Sequence, residues 1–356
     1  MNPSWIRRGG LLAGCAFLLP AQAYNITAAQ NAAANNASCK QVASGSNNGF
    51  YWEVGDSTHT IAYGSQGSSP PGPATALHVD SASKWLFSAY VLQKRGGLGG
   101  LQAGSGGGYT NSDVAYLQMG NGYDYINDLS CTSSDTISSC YNKVGNHAQT
   151  AANIGKFYYS GGEFLAMANN NLSLGGYNNQ ALATEMQRYI PGVAFSFVAP
   201  NPAASAVIDS NNYVVFLRDI LDGTLVMHDA LVADSWCTNA ATYGGLLGLQ
   251  NKYCPTQSST PPLPNKMSFA YGLGHWIETD PNAIAHGSVP ADGGVPGDGA
   301  FNSLGASGFY PWIDASLSYY GVVAPATAVP LFPANELDYE TTVQCGQAIR
   351  KAFLGE

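Results

Sequence analysis

A serine and a lysine three residues apart, Ser81 and Lys84, are well suited by type and spacing to covalent chemistry. In a helix, residues at this spacing lie on one face, one turn apart. The serine hydroxyl can act as a nucleophile, and the lysine can accept its proton when the surroundings favour the neutral amine. Taken alone, S-x-x-K is more often a capped surface helix than an active site, so other segments must support this interpretation.

The residues around this motif predict the helix that it needs. Apolar side chains dominate 85–92, which indicates a helix that is buried over most of its surface. Asp80 and Ser81 are both favourable N-cap residues, and we expect the helix to begin at one of them.

The first 23 residues have the pattern of a secretory signal peptide. Arg7 and Arg8 precede an apolar run at 10–19, and Ala21-Gln22-Ala23 is a small-x-small cleavage site. This pattern predicts a secreted or periplasmic protein cleaved after Ala23. A lipoprotein box at Leu12-Ala13-Gly14-Cys15 is the alternative, but the apolar run before Cys15 is very short.

The cysteine count agrees with export. Six cysteines remain once Cys15 is removed with the signal peptide, and an even number indicates three disulfides. The simplest set of pairs is Cys131 with Cys140, Cys237 with Cys254, and Cys39 with Cys345. The sequence has no C-x-x-C and no adjacent histidine pair, so metal ligation is a poor explanation for the cysteines.

Composition limits the class of partner. Charged residues make up 10 % of the chain and the net charge is −9, which argues against nucleic acid or an anionic membrane surface as a partner. No second apolar stretch is long enough to span a membrane. The 356 residues can form one large domain or two lobes, and the sequence gives no indication of the oligomeric state.

Hydrophobic patterns divide the chain into strands, then helices, then strands and a last helix. The predicted elements are a helix at 28–37, a hairpin at 49–65, several short helices within 111–187, a helix at 213–229, a strand at 268–278, a hairpin of strands 305–313 and 317–324 around Asp314, and a helix at 335–353. Early and late strands can share one sheet that the first and last helices cover, as the Cys39–Cys345 bridge requires.

Two further segments could complete a site with Ser81. Tyr159 precedes a helix-like run, and a phenol beside a lysine can transfer a proton to a leaving group. Ser303-Leu304-Gly305 places small residues where a ligand can approach the backbone, and an N–H there could join that of Ser81 in an oxyanion hole. Considered separately, the first segment is more typical of a packed aromatic residue and the second of a tight edge strand.

The three segments together, in this order, resemble the serine β-lactamase and D,D-peptidase superfamily, with the closest likeness to its class C β-lactamase and esterase branch. That family has S-x-x-K, then Y-x-N, then [KH]-[TS]-G on a strand. Here Ser81–Lys84 matches the first motif, Tyr159-Ser160-Gly161 falls on the second and Ser303-Leu304-Gly305 on the third. Tyr271-Gly272-Leu273-Gly274 also resembles the strand that precedes the third motif, and the likeness spans about 50–325.

The resemblance implies an α/β (α+β) fold of the serine β-lactamase type, in which N- and C-terminal helices flank an antiparallel sheet beside an all-α lobe. Residues 24–356 would form one two-lobed domain, with a sheet lobe at about 24–80 and 265–356 and a helical lobe at about 81–264.

The resemblance also implies roles for individual residues. Ser81 would be the acylated nucleophile, Lys84 its base, and Tyr159 a proton-transfer residue. The backbone N–H groups of Ser81 and Ala306 would hold the oxyanion, with Ser303 and Gly305 beside the substrate. No metal or other cofactor is implied; His275, His286 and Glu278 lie near one another in sequence but lack a ligand spacing and are interpreted as loop residues.

Departures from the family pattern narrow the function. Gly161 replaces the asparagine that would orient an amide, and Ser303 and Leu304 replace the cationic and hydroxyl residues that would bind a carboxylate. The sequence therefore favours an exported serine hydrolase that acts on a small-molecule ester or amide without a carboxylate near the cleaved bond. The alternative is a catalytically inactive binding or cell-envelope protein on the same fold.

Overall fold

The description of the fold comes from a computed structural model of the chain. It describes residues 24–45, 48–123, 131–143, 145, 147–233, 236–237, 270–278, 298–326 and 336–356. The predicted signal peptide, Cys15, Cys254 and His286 lie outside the described residues.

Helices account for most of the middle of the described chain. The α-helices are α1 (Ile26–Asn35), α2 (Ala37–Ser44), α3 (Ser83–Arg95), α4 (Asp113–Leu117), α5 (Ile137–Tyr141), α6 (Gly162–Asn170), α7 (Asn179–Gln187), α8 (Ser210–Leu221), α9 (Met227–Ala230) and α10 (Glu336–Leu354). The short helices predicted within 111–187 are confirmed. The helix predicted at 213–229 is instead α8 and α9, because the chain turns at Gly223, which has a φ of +78°.

The strands form a large antiparallel sheet and a small one. They are β1 (Gly49–Gly55), β2 (Thr60–Gly67), β3 (Leu77–His78), β4 (Ser196–Phe197), β5 (Ala206–Ile208), β6 (Trp236–Cys237), β7 (Ala270–Tyr271), β8 (Trp276–Ile277), β9 (Phe301–Asn302), β10 (Tyr310–Ile313) and β11 (Tyr320–Pro325). The large sheet has the order β2-β1-β11-β10-β9-β8-β7-β6, and the small sheet has the order β3-β5-β4. Early and late strands therefore share one sheet, as the sequence predicted.

The pairing of β1 with β11 joins the two ends of the chain in the middle of that sheet. In this antiparallel pair Phe50 lies opposite Pro325 and Val54 opposite Gly321. Every residue of both strands is buried, so neighbouring elements cover both faces of the sheet at this pair.

The terminal helices pack together beside this sheet. Helix α1 contacts both α10 and β2, and α2 contacts α10. A disulfide joins Cys39 in α2 to Cys345 in α10, so the predicted bridge between the termini is confirmed. The predicted Cys131–Cys140 disulfide is also present, whereas Cys254 of the predicted Cys237–Cys254 pair lies outside the described residues.

The start of α3 differs from the prediction. Neither Asp80 nor Ser81 caps this helix; both lie in a 3₁₀ turn, Asp80–Ala82, and the α-helix begins at Ser83. The reason is that the Asp80 carboxylate does not bond to the N–H groups of the helix but contacts His78 and Ser307.

The strand predicted at 268–278 is wrong as a single strand over its described part. Strands β7 and β8 are instead an antiparallel pair joined by a turn at 273–275. Gly274 in this turn has a φ of +80°, which ends the extended conformation and brings the chain back. Leu273 therefore lies in the turn, while Phe269 lies outside the described residues.

The late hairpin is confirmed, but its strands are shorter than predicted. Strand β10 begins at Tyr310 rather than Gly305, because the preceding residues close a turn in which Gly305 N–H donates to the carbonyl of Phe309 over 2.8 Å. Strand β11 begins at Tyr320 rather than Leu317, which has a φ of +56° within the connecting turn.

No helix in the described part of the chain is both long enough and apolar enough to cross a lipid bilayer.

Candidate active site

Ser81 lies between the small sheet and the buried helix α3. Strand β3 ends at His78, Val79 N–H donates to the carbonyl of Ala206 over 3.1 Å, and the 3₁₀ turn follows. The hydroxyl of Tyr213 in α8 donates to the carbonyl of Ala82 over 2.9 Å. The turn that carries Ser81 is therefore held by hydrogen bonds from two neighbouring elements.

Helix α3 places Lys84 against Ser81. All ten residues from Ser83 to Leu92 are buried, as the apolar run predicted. The lysine side chain lies in the first turn of the helix, and its Nζ donates to Ser81 Oγ over 2.9 Å and to the carbonyl of Ala203 over 3.0 Å. Lys84 is only 2 % exposed, so its amine is held inside the protein and not in bulk solvent.

The ring of Tyr159 also contacts the Lys84 amine. Lys84 Nζ is 4.7 Å from the centroid of the Tyr159 ring and lies over its face, a cation–π geometry. The tyrosine ring packs on Trp276, with centroids 4.9 Å apart, and meets Tyr271 edge to face at 5.7 Å. The ring therefore packs against strands β7 and β8 while remaining partly exposed.

The next two residues of the second motif have structural contacts. Ser160 Oγ donates to the carbonyl of Tyr123 over 2.8 Å and accepts from Gly162 N–H over 3.2 Å. Gly161 precedes α6 and is buried. No side-chain amide lies at this position, since the residue is glycine.

The third motif lies directly beside Ser81. Ser303 follows β9, and its Oγ donates to the carbonyl of Ser81 over 3.1 Å. Gly305 lies very close to the backbone of Val79, two residues before Ser81. A Cβ added at Gly305 would be 2.5 Å from the carbonyl oxygen of Val79. Only glycine fits this contact, which brings 303–307 against the nucleophile turn.

The backbone donors near Ser81 differ in availability. Gly305 N–H is used by the carbonyl of Phe309. Within the described residues, no acceptor bonds to the N–H of Ser81 or of Ala306. Ala306 is partly exposed, so these two groups could donate to a substrate oxygen.

Sequence reasoning missed one residue of the site. Asp80 is 2 % exposed and has a φ of +45°. Its Oδ1 is 2.7 Å from Nδ1 of His78, while its Oδ2 accepts from Ser307 N–H over 2.8 Å and from the Ser307 hydroxyl. The sequence offered only the residue type, which is equally typical of a helix cap.

The residues considered as metal ligands have other contacts. His275 is buried with Nε2 2.8 Å from the carbonyl of Leu231, and burial lowers its pKa below the usual value. Glu278 is paired with buried Arg350 over 2.7 Å. Among the described residues, no cluster of three or more His, Cys, Asp and Glu side chains could hold a metal ion.

Comparison with known proteins identifies the fold through structure and not through sequence. No protein-family model matches the chain, and no curated protein sequence matches it significantly. A candidate β-lactamase from Bacteroides dorei superposes with a TM-score of 0.64 at 16 % identity, covering 94 % of this chain and 100 % of the other.

Two functionally different structures are also similar. The D-amino acid amidase of Ochrobactrum anthropi SV3 gives a TM-score of 0.58 at 11 % identity, with 91 % of this chain and 97 % of the other covered. The class C β-lactamase of Rhodobacter sphaeroides gives 0.53 at 15 % identity, with 90 % and 99 % covered. The chain therefore has the fold of the serine β-lactamase and D,D-peptidase superfamily.

Proposed function

We propose that this protein is an exported serine hydrolase that forms an acyl-enzyme on Ser81. The observation that carries the proposal is the hydrogen bond of 2.9 Å from the buried Lys84 Nζ to Ser81 Oγ. A nucleophile within hydrogen-bond distance of an enclosed amine is the arrangement that general-base activation requires.

The first half of the reaction follows from these contacts. Lys84, reacting as the neutral amine, accepts the hydroxyl proton as Ser81 Oγ attacks the carbonyl carbon of an ester or amide. The carbonyl π electrons move to oxygen, and the N–H groups of Ser81 and Ala306 stabilise the resulting oxyanion. The hydrogen bond from Lys84 to the Ala203 carbonyl keeps the amine in place during this step.

The second half releases both products. As the tetrahedral intermediate collapses, the bond to the leaving alcohol or amine breaks, and that group receives a proton through Lys84 and Tyr159. Water then attacks the acyl carbon and gives up a proton to the same pair. The bond between this carbon and Ser81 Oγ breaks, Oγ takes the proton back, and the carboxylic acid leaves. The role of Tyr159 is supported by its partial exposure and by the contact of the lysine amine with the face of its ring.

The third motif favours an uncharged substrate group beside the cleaved bond. The Ser303 hydroxyl donates to the Ser81 carbonyl, and Leu304 is an apolar side chain that is 5 % exposed. Neither residue supplies the cation that would bind a carboxylate. We therefore propose esters or amides of small molecules as substrates, and the D-amino acid amidase among the structures with this fold is consistent with an amide.

Labelling with a fluorophosphonate tests the nucleophile. We expect the wild-type protein to be labelled at Ser81 and the Ser81→Ala variant to be unlabelled while its circular dichroism is unchanged. Ser88→Ala is the matched control, because Ser88 is buried on the same helix and its hydroxyl has no hydrogen-bond partner among the described residues. A folded wild-type protein that resists labelling would contradict the proposal and favour the binding-protein alternative.

A substrate panel tests the interpretation of the third motif. The panel contains p-nitrophenyl esters, D-amino-acid amides and the β-lactam nitrocefin. We expect turnover of an ester or amide and little turnover of nitrocefin, which carries a carboxylate. Nitrocefin hydrolysis at the rate of a class C β-lactamase measured in parallel would show that Ser303 and Leu304 had been misinterpreted.

A further inference from the structure

Three consecutive residues, Val79 to Ser81, each contact the segment 303–307, which contains the third motif and the two residues after it. Val79 receives Gly305 in a close backbone contact, and Ser81 accepts a hydrogen bond from Ser303. Between them, Asp80 accepts two hydrogen bonds from Ser307, one from its N–H and one from its hydroxyl. Asp80 is the residue of this turn whose charged side chain reaches the neighbouring segment.

The backbone of Asp80, the residue before the proposed nucleophile, is strained. Its φ of +45° lies in the left-handed region, which residues other than glycine adopt infrequently, although aspartate tolerates it better than most. Such strain persists only where the surrounding structure fixes it, and it occurs often at functional sites.

The contacts of the Asp80 carboxylate explain how this conformation is held. His78 lies 2.7 Å from one carboxylate oxygen, and Ser307 bonds to the other. Asp80 is 2 % exposed, so its carboxylate has little contact with water, and hydrogen bonds to a charged group in such a place are comparatively strong.

We propose that Asp80 is a positioning residue that sets the distance and angle between the two oxyanion donors, the N–H groups of Ser81 and Ala306. This inference rests on the proposed hydrolase function. Ser81 follows Asp80 directly in the chain, and Ala306 precedes Ser307 directly. The carboxylate therefore joins the residue before one donor to the residue after the other.

Catalysis by an oxyanion hole depends on the exact positions of its donors, so the bonds between Asp80 and Ser307 can affect the reaction rate. Donors must lie about 2.7–3.1 Å from the position that the oxyanion will occupy. A displacement of about 1 Å can reduce a rate about 100-fold. The loss of the Asp80–Ser307 bonds would leave the nucleophile and its base in place while releasing the loop that carries Ala306.

Three variants distinguish the effect of the Asp80 carboxylate from the effect of the backbone conformation. Asp80→Gly is compatible with the positive φ and removes both bonds to Ser307. Asp80→Asn keeps one carbonyl oxygen for Ser307 N–H, and its amide can donate to the other tautomer of His78. The control is Ser173→Gly, because Ser173 is exposed and has a similar φ of +58°.

The steady-state hydrolysis of a p-nitrophenyl ester is the main readout, with kcat expressed per folded molecule. We expect Asp80→Gly to lower kcat about 10- to 100-fold with KM changed less than about 3-fold. Asp80→Asn should recover most of this loss, and Ser173→Gly should match the wild type. An Asp80→Gly variant that is less stable but has wild-type kcat would overturn the proposal, because Asp80 would then be only structural.

Hydrogen exchange keeps this test separate from that of the hydrolase function. If the wild-type protein hydrolyses nothing, the proposed function fails, but the tie itself can still be measured at the amide of Ser307. We expect this amide to exchange at least about 10-fold faster in Asp80→Gly than in the wild type. Equal exchange in both proteins would contradict the proposed role of the Asp80–Ser307 bonds.

A second variant covers the case in which Asp80→Gly does not fold. Ser307→Ala loses only the hydroxyl bond and should also reduce kcat, and an unchanged kcat would count against the proposal.

Discussion

Lys84 is the side chain whose removal most directly tests the proposed chemistry at the scale of single residues. Its amine contacts Ser81 Oγ and the Ala203 carbonyl from a buried position. We expect Lys84→Ala to slow acylation by a fluorophosphonate at least about 100-fold, because the nucleophile loses its positioned base. Stopped-flow or gel-based labelling rates measure this effect.

The control for Lys84→Ala is Lys94→Ala on the same helix. Lys94 pairs with Glu185 over 2.6 Å on a more exposed part of α3, so its loss should leave the labelling rate unchanged. A Lys84→Ala variant that is labelled as fast as the wild type would remove Lys84 from the mechanism.

Residue types and spacing pointed to side chains that the structure brings together, but not to their detailed contacts, and their catalytic roles stay predictions. S-x-x-K placed Ser81 and Lys84 one turn apart, and the structure brings Tyr159 to the same amine. Asp80 was misassigned as a cap, because its backbone conformation depends on Ser307, more than 200 residues away in the chain. A contact between such distant residues leaves no local pattern.

At the scale of elements, the turn between β7 and β8 determines how α3 packs beside the site. Gly274 in this turn approaches the helix so closely that a Cβ would be 1.7 Å from Ser88 Oγ. It also has a φ of +80°, so a larger residue is disfavoured for two reasons. Because Ser88 lies one turn after Lys84, a displaced turn would also disturb the base.

We therefore predict that Gly274→Ala lowers both the free energy of unfolding and the labelling rate of Ser81. The positive φ costs about 1–2 kcal/mol and the overlap with the helix about 1–3 kcal/mol more. Gly223→Ala is the matched control, because Gly223 has a φ of +78° but open space around its Cα. Urea unfolding compares the two variants, and equal losses would show that the contact with α3 is unimportant.

Element prediction succeeded where a local pattern and a turn signal agreed. The alternation of Phe50, Trp52 and Val54 before Gly55 marked the first hairpin, which is present as β1 and β2. The same alternation at 268–278 led to an incorrect single strand, because the effect of Gly274 depends on the approach of a helix that is distant in sequence.

At the scale of the whole molecule, the order of strands and helices was sufficient to predict that the ends of the chain meet. Strand β1 pairs with β11, and α2 packs against α10. The division into a sheet lobe and a helical lobe stays a prediction. The overall fold was predictable because hydrophobic order, cysteine number and the three motifs independently favoured the same arrangement.

The disulfide between Cys39 and Cys345 joins the helices at the two ends of the fold. Its removal tests how much this connection contributes to stability. The bridge spans 306 residues, so it restricts the unfolded chain far more than the Cys131–Cys140 bridge, which spans 9. We expect the double variant Cys39→Ala and Cys345→Ala to lose roughly 2–5 kcal/mol of stability, and the corresponding variant of the short bridge to lose less.

Because the active-site contacts lie elsewhere in the fold, the labelling rate of the folded protein at Ser81 should be unchanged in both. Denaturant titration and labelling of each variant measure these quantities, and an equal or larger loss from the short bridge would mean that the closure of the termini contributes little to stability.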